Sequence, residues 1–241
     1  MEREVRTYRD PDELGRMAAE EIIRLTTGAD QRFSIALSGG NTPKRLYELL
    51  ATEYRDRIDW QRIHLFWGDE RYVPHDDPQS NFRMARESLL SHVPVPLQNI
   101  YPVPTHFLHP ENAARAYEGA LRNYFSGSAP QFDLLLLGIG ADGHTASLFP
   151  GTQALNEQER WVVPVEAPPP FTPPQRLSFT FPLINQAKNI FFLVSGSDKR
   201  DVMQRMLQNP ESARTKYPAA MVSPAGKVTW LTEKAVMPLA K

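Results

Sequence analysis

The sequence predicts an α/β fold built around a mostly parallel sheet, and two observations carry this prediction. Short apolar runs of a strand's length alternate along the chain with longer segments whose apolar residues recur at helical spacing. Turns rich in glycine and small polar residues directly follow several of the apolar runs. Strands that alternate with helices pair in parallel, because the helix carries the chain back along the sheet.

The first helix has a start and an end that are visible in the residues. Asp10 can cap it, with Pro11 in its first turn, Glu13 completing a capping box and Gly28 at its end. An apolar stripe at helical spacing lies between them: Leu14, Ala18, Ile22 and Leu25. The same reasoning predicts further helices, from residue 42, near 81–90, over 112–125 and over 197–207. Strands are predicted at 33–37, 63–67, 132–137, 176–181, 189–194 and 227–231.

Two segments do not fit regular structure. Residues 93–110 are rich in proline and histidine and predict an irregular connection. Residues 164–174 contain six prolines, which remove backbone donors and fix φ, so this stretch is predicted to be neither a core strand nor a helix. It is either a linker between domains or a stiff loop within one domain, and the loop is favoured. We therefore expect one domain spanning residues 1–241.

Composition narrows the functional class. The chain has 241 residues, 41% of them apolar, a formal net charge of −1 and no cysteine. The charge gives no reason to expect nucleic acid or an anionic membrane as a partner. Without cysteine there are no disulfides, no thiolate catalysis and no cysteine-based metal site. The sequence has no apolar run of membrane-spanning length and no apolar signal core. The absence of cysteine favours a cytoplasmic enzyme, although other compartments are compatible with it, and we expect either a monomer or a homodimer.

The segment 132–151 carries the most functional information. A buried apolar run leads into Gly138, Gly140 and Gly143, with Asp142 and His144 inside the same turn. In open α/β sheets, ligands bind beyond the carboxyl ends of the strands, so these side chains are expected where chemistry occurs. A histidine can accept a proton from water at neutral pH, and Asp142 could fix its orientation. The segment is expected to lead into a helix, and a plain turn with an exposed histidine is the alternative.

Two further turns offer groups suited to a phosphate. Ser38, Gly39 and Gly40 lie between a strand and a helix, where backbone N–H groups and the helix N-terminus favour an anion, although a simple turn has the same pattern. Lys199 lies in the predicted first turn of its helix, an unfavourable place for a cation unless it serves an anionic ligand. The alternative is that Lys199 reaches into solvent.

The stretch 67–74 also follows a strand. Arg71 has a planar fork suited to phosphate, and Asp69 could orient the substrate or the proton carrier. Asn81 and Arg83, at the start of the next helix, are candidates for supporting this site or for capping alone. His106 and His109 could suggest a metal pair, but no third ligand is nearby, so a solvated loop is favoured and no metal is expected.

Four segments together resemble the 6-phosphogluconolactonase family. They are Leu37-Ser-Gly-Gly-Asn-Thr-Pro43, Trp67-Gly-Asp-Glu-Arg-Tyr-Val-Pro74 with Ser80-Asn-Phe82, residues 137–151, and Ser195-Gly-Ser-Asp-Lys199. The resemblance implies a Rossmann-like three-layer sandwich of the sugar-phosphate isomerase type. It also implies hydrolysis of 6-phospho-D-glucono-1,5-lactone to 6-phosphogluconate in the oxidative pentose phosphate pathway, with no cofactor and no metal.

The resemblance also assigns roles to residues. His144 matches the catalytic histidine, and Asp69 and Arg71 match positions in the active site. Substrate-binding positions are matched by Ser38, Gly39, Gly40, Arg176 and Lys199. The family often has Pro-Pro-Arg before the strand at 176, whereas this chain has Gln175 between Pro174 and Arg176. Arg71 and Lys199 are expected at the carboxyl ends of neighbouring strands, together with residues 38–40.

Two rival functions remain. Deaminases of the same fold follow Asp-Gly-His with Ile-Gly-Phe-Asn-Glu, whereas here no acidic residue occurs between His144 and Glu157, which favours the lactonase. A non-catalytic sugar-phosphate sensor would usually carry a DNA-binding helix-turn-helix, and the sequence has no spare segment or basic patch for one.

Overall fold

The computed structural model describes residues 3–29, 31–126 and 129–238. The strands found there are β1 (Arg3–Tyr8), β2 (Phe33–Leu37), β3 (Ile63–Trp67), β4 (Asp69–Arg71), β5 (Ile100–Tyr101), β6 (Leu134–Leu137), β7 (Val162–Glu166), β8 (Gln175–Phe179), β9 (Asn189–Val194) and β10 (Lys227–Glu233). The α-helices found there are α1 (Pro11–Thr27), α2 (Asn41–Thr52), α3 (Asn81–Ala85), α4 (Pro110–Tyr124), α5 (Phe181–Ile184), α6 (Arg200–Gln208), α7 (Pro210–Ala213) and α8 (Pro218–Met221).

The main sheet is parallel throughout its described part. Its seven strands lie in the order β1-β10-β9-β6-β2-β3-β5, and every pair between neighbours is parallel. Helix α1 packs against α2 and against β1 and β10. The predicted α/β class with a mostly parallel sheet is confirmed.

Apolar burial explains why the central strands read as continuous hydrophobic runs. All five residues of β2 and all four of β6 are buried, as expected for strands covered on both faces. In β3, Phe66 stacks on Tyr101 with ring centroids 4.4 Å apart. In β9, Phe192 stacks on Trp230 of β10 at 3.9 Å. The strands that end at the functional loops are therefore fixed by the core.

The start of α1 follows its sequence signals closely. The Asp10 carboxylate accepts a hydrogen bond from the Glu13 backbone N–H at 2.8 Å, and Pro11 occupies the first turn. Glu13 accepts from the backbone N–H of Arg9 at 2.7 Å, one residue before the position that a capping box would use.

A second, antiparallel sheet of three strands lies in the order β4-β8-β7. Strand β7 was not predicted as a strand; it includes Pro164 and tolerates it because β7 is at the edge of this sheet. The other five prolines of the proline-rich stretch lie between β7 and β8, in a loop without strand or α-helix. The predicted strand over 176–181 ends at Phe179, and Phe181 begins α5 instead.

Three local predictions were wrong. No helix follows the turn around His144; the chain makes further turns up to a short 3₁₀ segment at Gln153–Asn156. Positive φ angles at Gly143, Ala146 and Gly151 interrupt any helix there. Lys199 lies in a 3₁₀ turn (Ser197–Lys199) before α6 rather than in the first turn of an α-helix. Strand β1 was missed; among the described strands it pairs with β10 alone, at the far end of the chain.

No helix within the described ranges has both the length and the apolar character to cross a membrane.

Candidate functional site

Four loops meet at the carboxyl edge of the main sheet and enclose a cleft of about 880 Å³. They follow β2, β3, β6 and β9, which stand side by side in the sheet order β9-β6-β2-β3. The cleft is lined by the nine residues for which the sequence predicts catalytic or substrate-binding roles: Ser38, Gly39, Gly40, Asp69, Arg71, Asp142, His144, Arg176 and Lys199. The position is the one that open α/β sheets use for ligands.

Asp142 contacts the His144 ring directly. Its Oδ1 lies 2.6 Å from His144 Nδ1 and also accepts the His144 backbone N–H at 3.1 Å. Burial acts to raise the pKa of Asp142, but the hydrogen bonds and charge of His144 outweigh it and hold that pKa below its usual value. Asp142 is therefore an ionised carboxylate that accepts a hydrogen bond from Nδ1–H, which leaves Nε2 as the basic nitrogen of the ring. Of the two aspartates considered, Asp142 makes this contact.

Gly140 lets the Asp142–His144 pair fold over the turn. A Cβ at Gly140 would lie 2.2 Å from His144 Nδ1 and 2.6 Å from Asp142 Oδ1, so any larger residue would displace both side chains. Gly143 has a φ of +84°, and a Cβ there would lie 2.5 Å from Tyr217 Cδ1. The glycines of this turn thus serve close approach between side chains and backbone.

Asp69 has other partners. Its Oδ2 accepts a 2.7 Å hydrogen bond from the Ser147 hydroxyl, and Asn81 Nδ2 donates to its backbone oxygen at 2.9 Å. A Cβ on Gly39 would lie only 2.0 Å from the amide oxygen of Asn81, so a residue with a side chain there would displace Asn81. Asn81 therefore joins the loop after β2 to the loop after β3, and it lines the cleft, unlike Arg83.

The backbone of Ser38 is held from below by a buried tyrosine. The Tyr47 hydroxyl donates to the Ser38 carbonyl at 2.9 Å and accepts the Ser38 N–H at 3.0 Å. Burial raises the pKa of Tyr47 well above its usual value, so it stays a neutral donor. The Ser38 hydroxyl is buried and has no hydrogen-bond partner among the described residues.

Glu70 is a structural carboxylate that sequence reasoning missed. It is fully buried and accepts hydrogen bonds from the backbone N–H groups of Arg71, Asn81 and Phe82, each at 2.7 Å, and from the Ser80 hydroxyl at 3.1 Å. Burial raises the pKa of Glu70 to about 7 against these hydrogen bonds. It fixes the first turn of α3 to β4, on which Asp69 and Arg71 flank it. A charged triplet in a sequence suggests exposure, so only the structure reveals this burial.

We expect Glu70→Ala to lower the free energy of unfolding by about 3 kcal/mol or more, because four buried donors lose their acceptor. The raised pKa sets the pH dependence: unfolded Glu70 loses its proton at lower pH than folded Glu70, so its contribution to stability falls between about pH 4.5 and pH 7. Urea titrations at several pH values should therefore show the largest difference from wild type in acid. Glu87→Ala, which removes an exposed carboxylate, is the control. Equal stability losses in the two variants would contradict this assignment.

The three cations of the cleft differ in how they are held. Arg71 Nη1 donates to the Gln79 carbonyl at 2.6 Å, while its Nε is buried without a partner among the described residues. Arg176, the cross-strand partner of Arg71, donates to backbone carbonyls of the proline-rich loop. Lys199 pairs with Asp198. Arg71 and Lys199 follow β3 and β9, which are separated by β2 and β6, so the expectation of neighbouring strands was wrong.

Neither His106 nor His109 lines the cleft. Within the described ranges, no group of three or more histidine, aspartate and glutamate side chains is arranged to hold a metal ion.

The chain matches a known family over most of its length. Residues 9–230 match the model of the glucosamine-6-phosphate isomerases/6-phosphogluconolactonase family. The chain belongs to this family. A 6-phosphogluconolactonase of Synechocystis sp. is 47% identical over 206 residues, which cover 83% of this chain and 82% of that protein. The resemblance stated from the four sequence segments is confirmed.

Solved structures of this family have the same fold as nearly all of this chain. A 6-phosphogluconolactonase from Trypanosoma cruzi superposes with a TM-score of 0.85 at 30% identity, covering 98% of this chain and 96% of that one. A monomeric glucosamine-6-phosphate deaminase superposes with a TM-score of 0.79 at 21% identity, covering 97% and 98%. At 21% identity, the likeness to the deaminase shows only the shared fold. The relatives of higher identity are 6-phosphogluconolactonases and favour the lactonase branch of the family.

Proposed function

We propose that this protein is a hydrolase that converts 6-phospho-D-glucono-1,5-lactone to 6-phospho-D-gluconate, with His144 as the general base. The observation that carries the proposal is the 2.6 Å contact between His144 Nδ1 and Asp142 in a cleft at the carboxyl edge of the sheet. A ring whose Nδ1–H is bound to a carboxylate has its Nε2 lone pair free to take a proton. The names of the relatives support the substrate.

The attack step needs one base and one electrophile. Water bound beside Nε2 adds to the lactone carbonyl carbon, His144 takes the water proton, and the carbonyl oxygen becomes an oxyanion. Asp142 stabilises the resulting imidazolium without taking its proton. Asp69, held by Ser147 and Asn81, is another carboxylate that lines the cleft, and we propose that it orients the sugar hydroxyls.

The second step opens the ring. The tetrahedral intermediate collapses, the bond between the carbonyl carbon and the ring oxygen breaks, and the imidazolium returns its proton to that oxygen. The acid formed ionises at neutral pH, so each turnover releases one proton to solvent. A δ-lactone already reacts with water without a catalyst, so only modest acceleration is required. A single general base typically contributes about 10²–10⁴-fold, which suits this substrate.

A single domain spanning residues 1–241 acts in the cytoplasm on a small phosphosugar lactone, as a monomer or a homodimer. It acts without a cofactor, a nucleic acid or a membrane as partner. The near-neutral net charge of −1 supports the absence of a polyanionic partner.

The test is a pH-stat assay with freshly prepared 6-phosphogluconolactone, in which base consumption above the spontaneous rate measures hydrolysis. The expected result is one proton released per lactone consumed. A parallel assay with glucosamine 6-phosphate should release no ammonia. Deamination without lactone hydrolysis would overturn the proposal in favour of the other branch of the family, and binding without turnover of either substrate would favour a sensor.

We propose that Arg71, Lys199 and the backbone of residues 38–40 hold the phosphate. A charge-assisted hydrogen bond contributes roughly 1.5–3 kcal/mol, so losing one should weaken binding about 10–150-fold. We expect Arg71→Ala and Lys199→Ala to raise KM for the phosphorylated lactone by that factor. Unphosphorylated glucono-1,5-lactone is the matched control, since it has no group for these cations to bind. An equal loss of kcat/KM on both lactones would mean that the residues serve the fold or the chemistry instead.

A further inference from the structure

The proline-rich loop between β7 and β8 forms one wall of the cleft. The Ala167 N–H donates to the Pro174 carbonyl at 2.7 Å and closes the loop at its base, and the Phe171 N–H donates to the Pro168 carbonyl at 3.0 Å. Residues 168–171 line the cleft. The loop is therefore a compact, internally bonded segment, and its tip faces the site.

Phe171 of this loop contacts the imidazole of His144. The ring centroids are 5.1 Å apart and the planes meet at 83°, an edge-to-face contact. Phe149, fully buried, packs against the same imidazole at 4.6 Å and against Phe171 at 4.9 Å. Two phenyl rings thus bound the histidine, while Asp142 binds its Nδ1.

Arg176 holds the loop in place. Its Nε donates to the Pro173 carbonyl at 2.8 Å, and its Nη2 donates to the Thr172 carbonyl at 3.3 Å, directly after Phe171. Only 6% of Arg176 is exposed, and this burial lowers the pKa of its guanidinium, with the charge of Asp69 acting against the shift. Part of the arginine fork therefore serves the loop, a bidentate arrangement that a lysine ammonium on a flexible stem does not reproduce.

We propose that Phe171 is a positioning residue for His144 and that Arg176 acts on the reaction through it. The guanidinium holds the loop, the loop holds Phe171 against the imidazole, and Phe171 keeps the ring oriented with Nδ1 on Asp142 and Nε2 towards the cleft. Without the phenyl edge the ring gains rotational freedom, and a flipped ring would present the wrong nitrogen to water. The kinetic consequence rests on the proposed function; the ring orientation does not.

Steady-state kinetics on two lactones test the proposal. We expect Phe171→Ala and Arg176→Lys each to lower kcat about 10- to 100-fold, with KM changed less than about threefold, because a misplaced base costs rate rather than binding. The loss should be equal on 6-phosphogluconolactone and on glucono-1,5-lactone. Phe171→Leu, which keeps apolar bulk, should recover part of the rate. Phe107→Ala, a half-buried phenylalanine outside the cleft lining, is the control and should keep kcat.

Two measurements separate positioning from a general structural effect. The double variant should be no slower than Phe171→Ala alone, because both substitutions remove the same contact. The nitrogen chemical shifts of the His144 ring should report one tautomer, protonated at Nδ1, in the wild type and a mixture in Phe171→Ala, and this readout needs no substrate. An inactive wild type with the expected ring shifts would therefore refute the proposed function and leave the positioning role supported.

Three results would overturn the proposal. A rise in KM confined to the phosphorylated lactone in Arg176→Lys would mean that the guanidinium binds the phosphate. Unchanged kcat and unchanged ring shifts in Phe171→Ala would mean that the phenyl ring only fills space. Additive losses in the double variant would mean that Arg176 and Phe171 act independently. If Arg176→Lys does not fold, Phe171→Ala and Phe171→Leu still decide the matter.

Discussion

Replacement of His144 by alanine is expected to lower kcat for 6-phosphogluconolactone hydrolysis about 10²–10⁴-fold, the usual contribution of a general base. The ring is partly exposed and lines the cleft with Asp142, so we expect the protein to fold without it. KM should change little, because the base acts on water in the transition state and not on the bound phosphate. Initial rates over a range of substrate concentrations, corrected for spontaneous hydrolysis, measure both constants.

The controls for this variant use the same chain. His106→Ala removes an exposed histidine outside the cleft lining and should keep wild-type kcat. Asp142→Asn should lose much of the rate without loss of fold, since an amide can donate to Nδ1 and favour the tautomer with its proton on Nε2. Near-native turnover by folded His144→Ala would remove the histidine from the mechanism.

Much of the site was predictable because parallel strands deliver their loops to one edge. The segments at residues 38–40, 69–71, 138–144 and 195–199 follow buried runs that were each recognisable as strands, and the sheet brings all four together. The order of those strands was not predictable. Strand β6 pairs with both β2 and β9 and separates them, a long-range choice that no local pattern records. The expectation that Arg71 and Lys199 follow neighbouring strands was wrong for that reason.

The residues that support the site were the least visible in the sequence. Glu70 reads as part of a solvated charged triplet, and its burial depends on donors from Ser80 to Phe82, which reach it only in the folded chain. Phe171 lies in a stretch whose prolines signal a loop and nothing about what the loop covers. Strand β1 was missed because it pairs with β10, its one partner in the described part of the chain, more than 200 residues later. Local patterns thus identified the candidate residues that line the cleft, and they did not identify Glu70 or Phe171 beneath and beside them.

Gly140→Ala is expected to lower kcat about 10²-fold or more while leaving the protein folded. The added Cβ would lie 2.2 Å from both Cε1 and Nδ1 of His144 and 2.6 Å from Asp142 Oδ1, so both side chains must move. The displaced atoms are the ends of two side chains that line the cleft, so both side chains can rotate away at small cost in stability. This rotation breaks the contact between Nδ1 and Asp142 that orients the base. A displacement of this size is enough to cost about two orders of magnitude in rate.

Gly138→Ala separates this clash from a general need for glycine in the turn, because its added Cβ meets no atom within 4 Å. It should lose far less activity than Gly140→Ala. The free energy of unfolding of both variants should lie within about 1 kcal/mol of the wild-type value, since neither glycine has a positive φ. The measurement is kcat together with the ring-nitrogen shifts of His144, which should change in Gly140→Ala and not in Gly138→Ala. Equal activity in the two variants would show that hydrolysis does not depend on the contact between His144 and Asp142. A loss of folding in Gly140→Ala would show that the turn cannot release these side chains as the cleft geometry implies.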